Sequence, residues 1–303
     1  MSENRWQSGT GPGRRRLPLK TRAKRWLVDW ATRDQRVRRM ALNRIFAGHA
    51  TDGILCLVPF GDHKVFVDPR DDRIAYTLLS GRSWQREHLD AALQAAHQAG
   101  RLKAGGVFVD VGANIGLITL YAMLSGRFSH AIAIEPDPWN RTILKQNLEI
   151  NGLTERVIVV AKAASDKVGT MKLHRDAKNL GAHSLEPGFS MSPVDEAQVV
   201  AVERLDAILA EANVAAADIG FVKIDVEGHE FAALSGLTGI LEARPPIMIE
   251  ITFDAIDGRT ECEQLRRLLP GYASAIDIER SEPAAVALDA CEATAGQHEL
   301  LIF

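Results

Sequence analysis

Short apolar runs alternate along the chain with segments whose apolar residues recur at helical spacing. The runs predict five strands buried on both faces, as is typical of parallel sheets: VFVDV at 107–111, AIAIE at 131–135, VIVVA at 157–161, IGFVKID at 219–225 and IMIEI at 247–251. The spacing between them predicts helices over 115–125, 137–151, 205–212 and 231–242. This alternation predicts an α/β fold whose parallel sheet is covered by helices on both faces.

Elements of other kinds lie on either side of this region and within it. Two short strands are predicted in 53–68, and helical spacing predicts a helix over 84–98. Residues 165–200 are rich in Gly, Ser and Pro and predict a loop with one hairpin. Two further strands are predicted near the end of the chain, at 271–279 and 299–303.

The composition is that of an ordinary globular protein, since 46% of the 303 residues are hydrophobic and 25% are charged. No apolar run approaches the ~20 residues that span a bilayer. Cys56, Cys262 and Cys291 lie far apart and form no CxxC pair, which argues against a disulfide scaffold or a cysteine-based zinc site. We therefore expect a reducing, cytoplasmic location.

The net charge of −3 hides a strong asymmetry. Residues 1–45 hold 13 of the 36 Lys and Arg but only 3 of the 39 acidic residues, so this segment carries +10 and the rest of the chain −13. Such a segment can contact nucleic acid or an anionic membrane surface, and a solvated, partly helical lead-in is the simpler interpretation. We predict a partly helical basic arm over 1–48, a strand-and-helix extension over 49–104 and the α/β domain over 105–303.

A glycine-containing turn follows the first predicted strand of the α/β domain. This turn is DVGANIG at 110–116, and it lies where a ligand can approach the backbone closely at the ends of the strands. Its candidate cofactor-binding residues are Asp110, Gly112, Asn114 and Gly116. The turn lacks the GKS or GKT of a Walker loop, and Asn114 replaces the middle glycine of the dinucleotide pattern GxGxxG. A side chain at that position leaves less room for a pyrophosphate, which favours a nucleoside ligand without one.

Two further strand ends complete a predicted adenosine site. Glu135 ends the second strand, where a carboxylate accepts hydrogen bonds from both hydroxyls of a ribose. Ser165 and Asp166 follow the third strand, where a carboxylate can meet the amino group of adenine. The ligand without a pyrophosphate that fits these three groups is S-adenosylmethionine.

A cluster of ionisable residues in KIDVEGHE at 223–230 follows the fourth strand, beside the first strand at the switch point of the sheet. His229 has the natural pKa for a general base, while Asp225 is placed to bind the ammonium group of the cofactor or to orient the histidine. Asp225 and Glu227, together with His229, also offer metal ligands, but a second carboxylate partner would have to come from elsewhere in the chain, so we predict no metal site. The choice of base between His229 and Asp225 stays open.

A second group of polar residues is assigned to substrate binding. Asn179, His183 and Ser184 lie in the irregular region, where a loop can cover the ligand, and Glu250 lies at the end of the fifth strand. A polar surface loop and a simple strand end are the alternative interpretations.

Together these stretches resemble the FkbM family of class I methyltransferases. The resemblance runs from about residue 53 to 303 and is carried by VDVGANIGLITL, IEPDPWNRTILKQNLEINGL, AASD, NLGAHSL, RLDAIL, KIDVEGHE and RPPIMIEI, in this order. It implies a Rossmann-like, seven-stranded, mostly parallel sheet with an antiparallel strand near its C-terminal edge. It also implies that residues 105–303 bind S-adenosylmethionine, with Pro136 beside Glu135, and that they O-methylate a hydroxyl of a sugar, glycan or secondary metabolite.

Other functions are also compatible with the sequence. Some of them use the basic arm, and others involve no methyl transfer. An RNA-associated methyltransferase or RNA-binding protein would anchor through the basic arm, and a peripheral membrane protein would use it to reach a lipid-linked glycan. A non-catalytic adenosine-binding module is a further alternative, and a dehydrogenase is the least favoured because Asn114 breaks its fingerprint. The sequence gives no indication of the oligomeric state.

Overall fold

A computed structural model describes residues 53–190, 192, 194, 197–253, 259–280, 283–288 and 296–303. The basic arm predicted for 1–48 lies outside these residues. Where the chain is described, its strands are β1 Cys56–Pro59, β2 Lys64–Val67, β3 Val107–Val111, β4 His130–Ile134, β5 Val157–Val160, β6 Ala163–Ser165, β7 Gly169–Leu173, β8 Gln198–Arg204, β9 Ile219–Ile224, β10 Ile247–Phe253, β11 Ser274–Asp277, β12 Val286–Ala287 and β13 Gly296–Ile302. Its α-helices are α1 Ile74–Leu79, α2 Arg86–Gln98, α3 Leu117–Leu124, α4 Pro138–Ile150, α5 Leu205–Glu211, α6 Glu230–Ser235 and α7 Arg259–Leu268.

The central sheet confirms the predicted class I methyltransferase arrangement. Its strand order is β12-β11-β13-β10-β9-β3-β4-β5. The five strands from β10 to β5 are parallel, and β13 runs antiparallel to both β10 and β11. Seven strands were expected, and the two-residue β12 adds an eighth at the edge. β3 lies between β4 and β9, so the ends of these three strands form the switch point of the sheet.

Alternate residues of the central strands point into two separate cores. Phe108, Phe221 and Met248 pack on one face with buried residues of α1, α2, α3 and α4. Their neighbours Val109 and Val222 pack on the other face with α5, α6 and α7. Because each strand is buried on both faces, its sequence is an almost continuous apolar run, as the predictions assumed.

The predicted extension belongs to the same compact unit as the sheet. β1 and β2 form the expected antiparallel hairpin, and α2 begins at Arg86 within the predicted helix at 84–98. α1 was not predicted, since six residues are too few to show a helical period. The described part of 51–303 forms one compact unit, and the segment boundaries drawn at 48 and 104 stay predictions.

Two regions differ from their sequence-based description. Residues 165–200 contain the predicted hairpin, β7 with β8, but β6 also pairs parallel to β8 and makes a three-stranded side sheet. The helix predicted for 231–242 ends at Ser235. At the next residue a side chain is excluded, because a Cβ on Gly236 would lie 2.2 Å from the carbonyl oxygen of Ser165. α7 was not predicted. No described helix is long and apolar enough to cross a membrane.

Candidate active site

A cleft of about 810 Å³, including its open mouth, lies at the carboxyl ends of β3, β4 and β9. Its walls come from the glycine-containing turn after β3, the ends of β4 and β9, the start of α4, the loop around His183 and the connection between α1 and α2. The carboxyl ends of parallel strands lie at the same edge of a sheet, so residues far apart in sequence come together there.

The turn after β3 is packed against the end of β9. Gly112 has φ = 83°, and a Cβ on it would lie 1.8 Å from the carbonyl oxygen of Asp225, so only glycine fits. The amides of Gly112 and Ala113 both donate to the carbonyl oxygen of Ile134, at 3.0 Å each. These contacts fix the turn between β4 and β9 and leave its outer side facing the cleft.

Glu135 lies in the cleft with both carboxylate oxygens held by backbone amides. Oε2 accepts from Asn114 N and Oε1 from Asp137 N, each at 2.8 Å. Burial raises the pKa of Glu135 to about 8, although these two amide hydrogen bonds oppose the shift. A carboxylate oriented in this way keeps lone pairs available for the hydroxyl groups of a bound ribose.

Three carboxylates stand together on the other side of the turn. One oxygen of each of Asp225, Glu227 and Glu250 lies within 4.8 Å of the other two, and Asp225 and Glu227 line the cleft. Burial, followed by the charge of Asp225, raises the pKa of Glu227 to about 8 and that of Glu250 to about 9. Glu250 also accepts hydrogen bonds from the amide groups of Gln85 and Gln297. The cluster can accept a proton, and its three oxygen ligands are also of the kind that a divalent cation takes.

A buried lysine forms an ion pair with Asp225 of this cluster. Lys223 is 1% exposed, and its Nζ donates to Asp225 Oδ2 at 3.0 Å and lies 3.5 Å from Glu299 Oε1. Burial lowers the pKa of Lys223, but the charges of Asp225 and Glu299 outweigh it, so the net shift is upward. Glu299 also bonds His88 Nδ1 at 2.8 Å. The ammonium group therefore fixes the Asp225 carboxylate at the edge of the cleft.

The Methyltransferase FkbM domain matches residues 110–275, which is more than half of the chain. The chain belongs to the FkbM methyltransferase family. It is 31% identical over 160 residues to 31-O-demethyl-FK506 methyltransferase FkbM of Streptomyces tacrolimicus, covering 45% of this chain and 61% of that protein. It is 25% identical over 190 residues to methyltransferase sdnD of Sordaria araneosa, covering 55% of this chain and 73% of that protein. The chain thus spans about three fifths of the length of its Streptomyces relative.

A solved structure of similar fold is the methyltransferase FkbM of Methylobacillus flagellatus KT. The two share 17% identity with a TM-score of 0.41, over 88% of this chain and 59% of the other.

In this FkbM-family chain, the histidine predicted as a general base faces away from the cleft. His229 is 5% exposed, with Nε2 at 3.0 Å from Ser165 Oγ and Nδ1 at 2.7 Å from Glu186 Oε1. Both ring nitrogens are engaged, and His229 is not among the residues that line the cleft. The structure therefore leaves Asp225, the other candidate, together with Glu227 as groups that can reach an acceptor.

The predicted cofactor residues divide into two sets. Gly112, Asn114, Glu135, Pro136 and Asp225 line the cleft, whereas Asp110, Gly116, Ser165 and Asp166 do not. Their contacts explain why the members of the second set lie outside it.

Each member of this second set has a supporting contact of its own. Asp110 accepts from the hydroxyl of Thr119 and joins β3 to α3, and burial raises its pKa to about 6. Gly116 packs against Leu144 of α4. Ser165 is fully buried and bonds Asp166, while Ala163 and Ala164 occupy the wall of the cleft.

The residues predicted to bind substrate differ in whether they line the cleft. His183 lines the cleft, whereas Asn179 accepts from Gly181 N and the hydroxyl of Ser184 donates to the carbonyl oxygen of Glu227. Asn179 and Ser184 thus shape the loop, and Glu250 stands beside Asp225 as part of the carboxylate cluster.

Among the cleft residues that the predictions did not name are three with large or polar side chains. Trp84 and Gln85 reach it from the connection between α1 and α2, and Asn140 from the first turn of α4. The sequence WQREH at 84–88 carries no recognisable motif, so nothing in it pointed to this contact. The capping position of Asp137, whose Oδ1 accepts from Trp139 N and Asn140 N, could have indicated that Asn140 lies at the strand ends.

Proposed function

We propose that this chain uses S-adenosylmethionine to O-methylate a hydroxyl group of a sugar, glycan or other secondary metabolite. Membership of the FkbM family supports methyl transfer. The name of the Streptomyces relative specifies an O-demethyl acceptor, which supports oxygen as the methylated atom. The alternative is an RNA-associated methyltransferase or binding protein that uses the basic segment 1–45.

The observation that carries the proposal is the orientation of Glu135 beside the turn at 112–116. Its two oxygens are fixed by Asn114 N and Asp137 N in a cleft that Gly112 also lines. Buried polar atoms without a hydrogen-bond partner in the described chain, among them Asn114 Oδ1, also lie in residues of this cleft and fit a polar nucleoside.

On the acceptor side, the residues of the chain hold a hydroxyl and receive its proton. S-adenosylmethionine, when bound, supplies an electrophilic methyl group. Asp225, oriented by the Lys223 ammonium, and Glu227, whose pKa of about 8 lies near neutral pH, can accept the hydroxyl proton as the oxygen becomes methylated. Trp84 and Gln85 also line the cleft, where Gln85 donates to Glu250 of the carboxylate cluster, and they help to hold the acceptor in position.

The test is calorimetric titration of the full chain with S-adenosylmethionine and S-adenosylhomocysteine. Glu135→Ala removes the ribose acceptor, so we expect it to weaken binding at least about tenfold, or ~1.4 kcal/mol. Glu149→Ala replaces an exposed glutamate of α4 and serves as the matched control. A folded wild-type chain that binds neither nucleoside would overturn the proposal.

The acceptor is then identified with a ¹³C-methyl donor and a panel of hydroxylated compounds, amines and RNA. An O-methyl resonance in a small-molecule or glycan product supports the proposed function. A product in RNA alone favours the alternative, and an N-methyl resonance contradicts oxygen as the acceptor atom.

A further inference from the structure

Two side chains near the start of α4 present polar atoms that lack partners. Asn140 Oδ1 and His183 Nε2 are buried, and neither has a hydrogen-bond partner among the residues that the structure describes. Both residues line the cleft. Buried polar groups in folded proteins are nearly always paired, so two such atoms in residues that line one cavity indicate a ligand that satisfies them.

The orientation of Asn140 is determined by its other contact. Its Nδ2 donates to the carbonyl oxygen of Leu180 at 3.0 Å. A carbonyl oxygen can only accept, so the amide nitrogen must be the atom on that side. The remaining atom, Oδ1, is therefore a hydrogen-bond acceptor, and the 2% exposure of Asn140 leaves it no contact with bulk water.

The proton of His183 is located by the same reasoning. Nδ1 accepts a hydrogen bond from Asp176 N at 3.1 Å. A backbone amide can only donate, so Nδ1 carries no proton and the neutral ring has its proton on Nε2. Burial lowers the pKa of His183 and thus favours this neutral form. Its Nε2–H is a donor, the complement of Asn140 Oδ1.

The adjoining walls of the cleft suit a flat ring. Pro136, Ala163, Ala164, Leu173 and Leu185 line the cleft without offering a polar side chain. Asn140 follows Glu135 by five residues across the capping turn of α4, and the charge of Asp137 in that turn acts on the His183 ring. The donor and acceptor thus stand next to an apolar slot on the Glu135 side of the cleft.

We propose that Asn140 and His183 recognise the amino edge of an adenine ring in this slot, an inference that rests on the proposed function. Asn140 Oδ1 accepts from the exocyclic amine, and His183 Nε2–H donates to a ring nitrogen beside it. Adenine presents such an edge, since its exocyclic amine is a donor and the ring nitrogen beside it is an acceptor. These two residues take the role that the sequence suggested for Asp166, and His183 is a cofactor-binding residue rather than a substrate-binding one.

The first experiment compares S-adenosylhomocysteine with S-inosylhomocysteine by calorimetry. The inosyl compound has a carbonyl in place of the amine, which sets an acceptor against Asn140 Oδ1. We expect the wild-type chain to bind it at least about tenfold more weakly. In Asn140→Ala, affinity for the adenosyl compound falls while affinity for the inosyl compound changes little, so the ratio shrinks at least about threefold.

The second experiment assigns the ring nitrogen with the 1-deaza and 7-deaza analogues of S-adenosylhomocysteine. We expect one of them to bind the wild-type chain at least about fivefold more weakly than the parent compound, and to bind His183→Ala as tightly as the parent does. His174→Ala is the matched control, because His174 pairs through its backbone with Ser184 but does not line the cleft.

The outcomes separate this inference from the proposed function. If S-adenosylhomocysteine binds but the inosyl compound binds equally well, or if Asn140→Ala and His183→Ala leave every ratio unchanged, adenine recognition by these residues is wrong and the proposed function stands. If the wild-type chain binds none of the nucleosides, both fall together. The wild-type comparisons remain decisive even where a variant fails to fold.

Discussion

Backbone strain is concentrated in the cleft at the scale of single residues. Five non-glycine residues of the described chain have positive φ, and three of them, Gln85, Asn114 and Glu227, line the cleft. Each such conformation costs about 1–3 kcal/mol and persists only where the surrounding contacts enforce it. The positions of Gln85 and Glu227 side chains are therefore set by the fold rather than by local preference.

Gly112→Ala should destabilise the chain far more than glycine substitution elsewhere. A Cβ at 1.8 Å from the carbonyl oxygen of Asp225 forces β3 and β9 apart, in addition to the positive φ. Gly126→Ala is the control, because Gly126 has φ = 69° and open space around its Cβ position. We expect a loss of ~1–2 kcal/mol for the control and several kcal/mol more, or failure to fold, for Gly112→Ala in urea unfolding. Equal losses would mean that the turn is not packed as described.

At the scale of elements, a buried ion pair joins strands that are not neighbours. Lys223 belongs to β9 and Glu299 to β13, with β10 between them in the sheet. Lys223 also pairs with Asp225, which stands beside Glu250 in the carboxylate cluster. The register of three strands thus determines the position of the acceptor-side carboxylates.

Lys223→Met should be strongly destabilising at neutral pH. It leaves the carboxylates of Asp225 and Glu299 without their buried counter-charge, a change that costs about 3–5 kcal/mol in comparable pairs. Because the folded variant would then bind protons more readily than the unfolded chain, the deficit should shrink as the pH falls from 8 to 5. Lys103→Met, which removes an exposed pair with Asp218, is the control and should cost less than about 1 kcal/mol. A deficit independent of pH would contradict this account.

At the scale of the whole molecule, several buried glutamates in the site and beside it have raised pKa values. Burial raises the pKa to about 8 in Glu135 and Glu227, about 9 in Glu250 and about 7 in Glu230. In each case the folded chain binds a proton more tightly than the unfolded chain does. Their contribution to stability is complete below about pH 4.5, the ordinary value for glutamate, and is lost as the pH rises through 7–9.

The free energy of unfolding should therefore fall between pH 6 and pH 9. Urea titrations at pH 6, 7.5 and 9 measure this, and Glu250→Gln should reduce the slope because it removes the group with the highest of these pKa values. The lowered pKa of His183 acts in the opposite direction, because the unfolded chain binds that proton more tightly, but its contribution ends above the ordinary histidine value of about 6.5. Stability that is constant or rises with pH over this range would contradict the raised values.

The fold was largely predictable because its cause is local. Strands buried on both faces and helices with one apolar face leave periodic patterns that short windows of sequence reveal, and β3, β4, β5, β9 and β10 lie where these patterns predicted them. Short helices show their period poorly: the six-residue α1 was not predicted, and the six-residue α6 was predicted too long. The glycine turn and the placement of Glu135 at a strand end followed from the same local patterns.

The sequence by itself determined the α/β class, the family and the end of the sheet at which the cleft lies. Only the tertiary structure decided which polar groups enter that cleft, because direction is set by turns and by contacts distant along the chain. Glu227 has φ = 51° and Gly228 φ = 94°, so side chains after β9 no longer alternate and His229 turns toward Ser165. Gln85 reaches Glu250 across 165 positions of the chain. No local pattern of residues encodes such a contact.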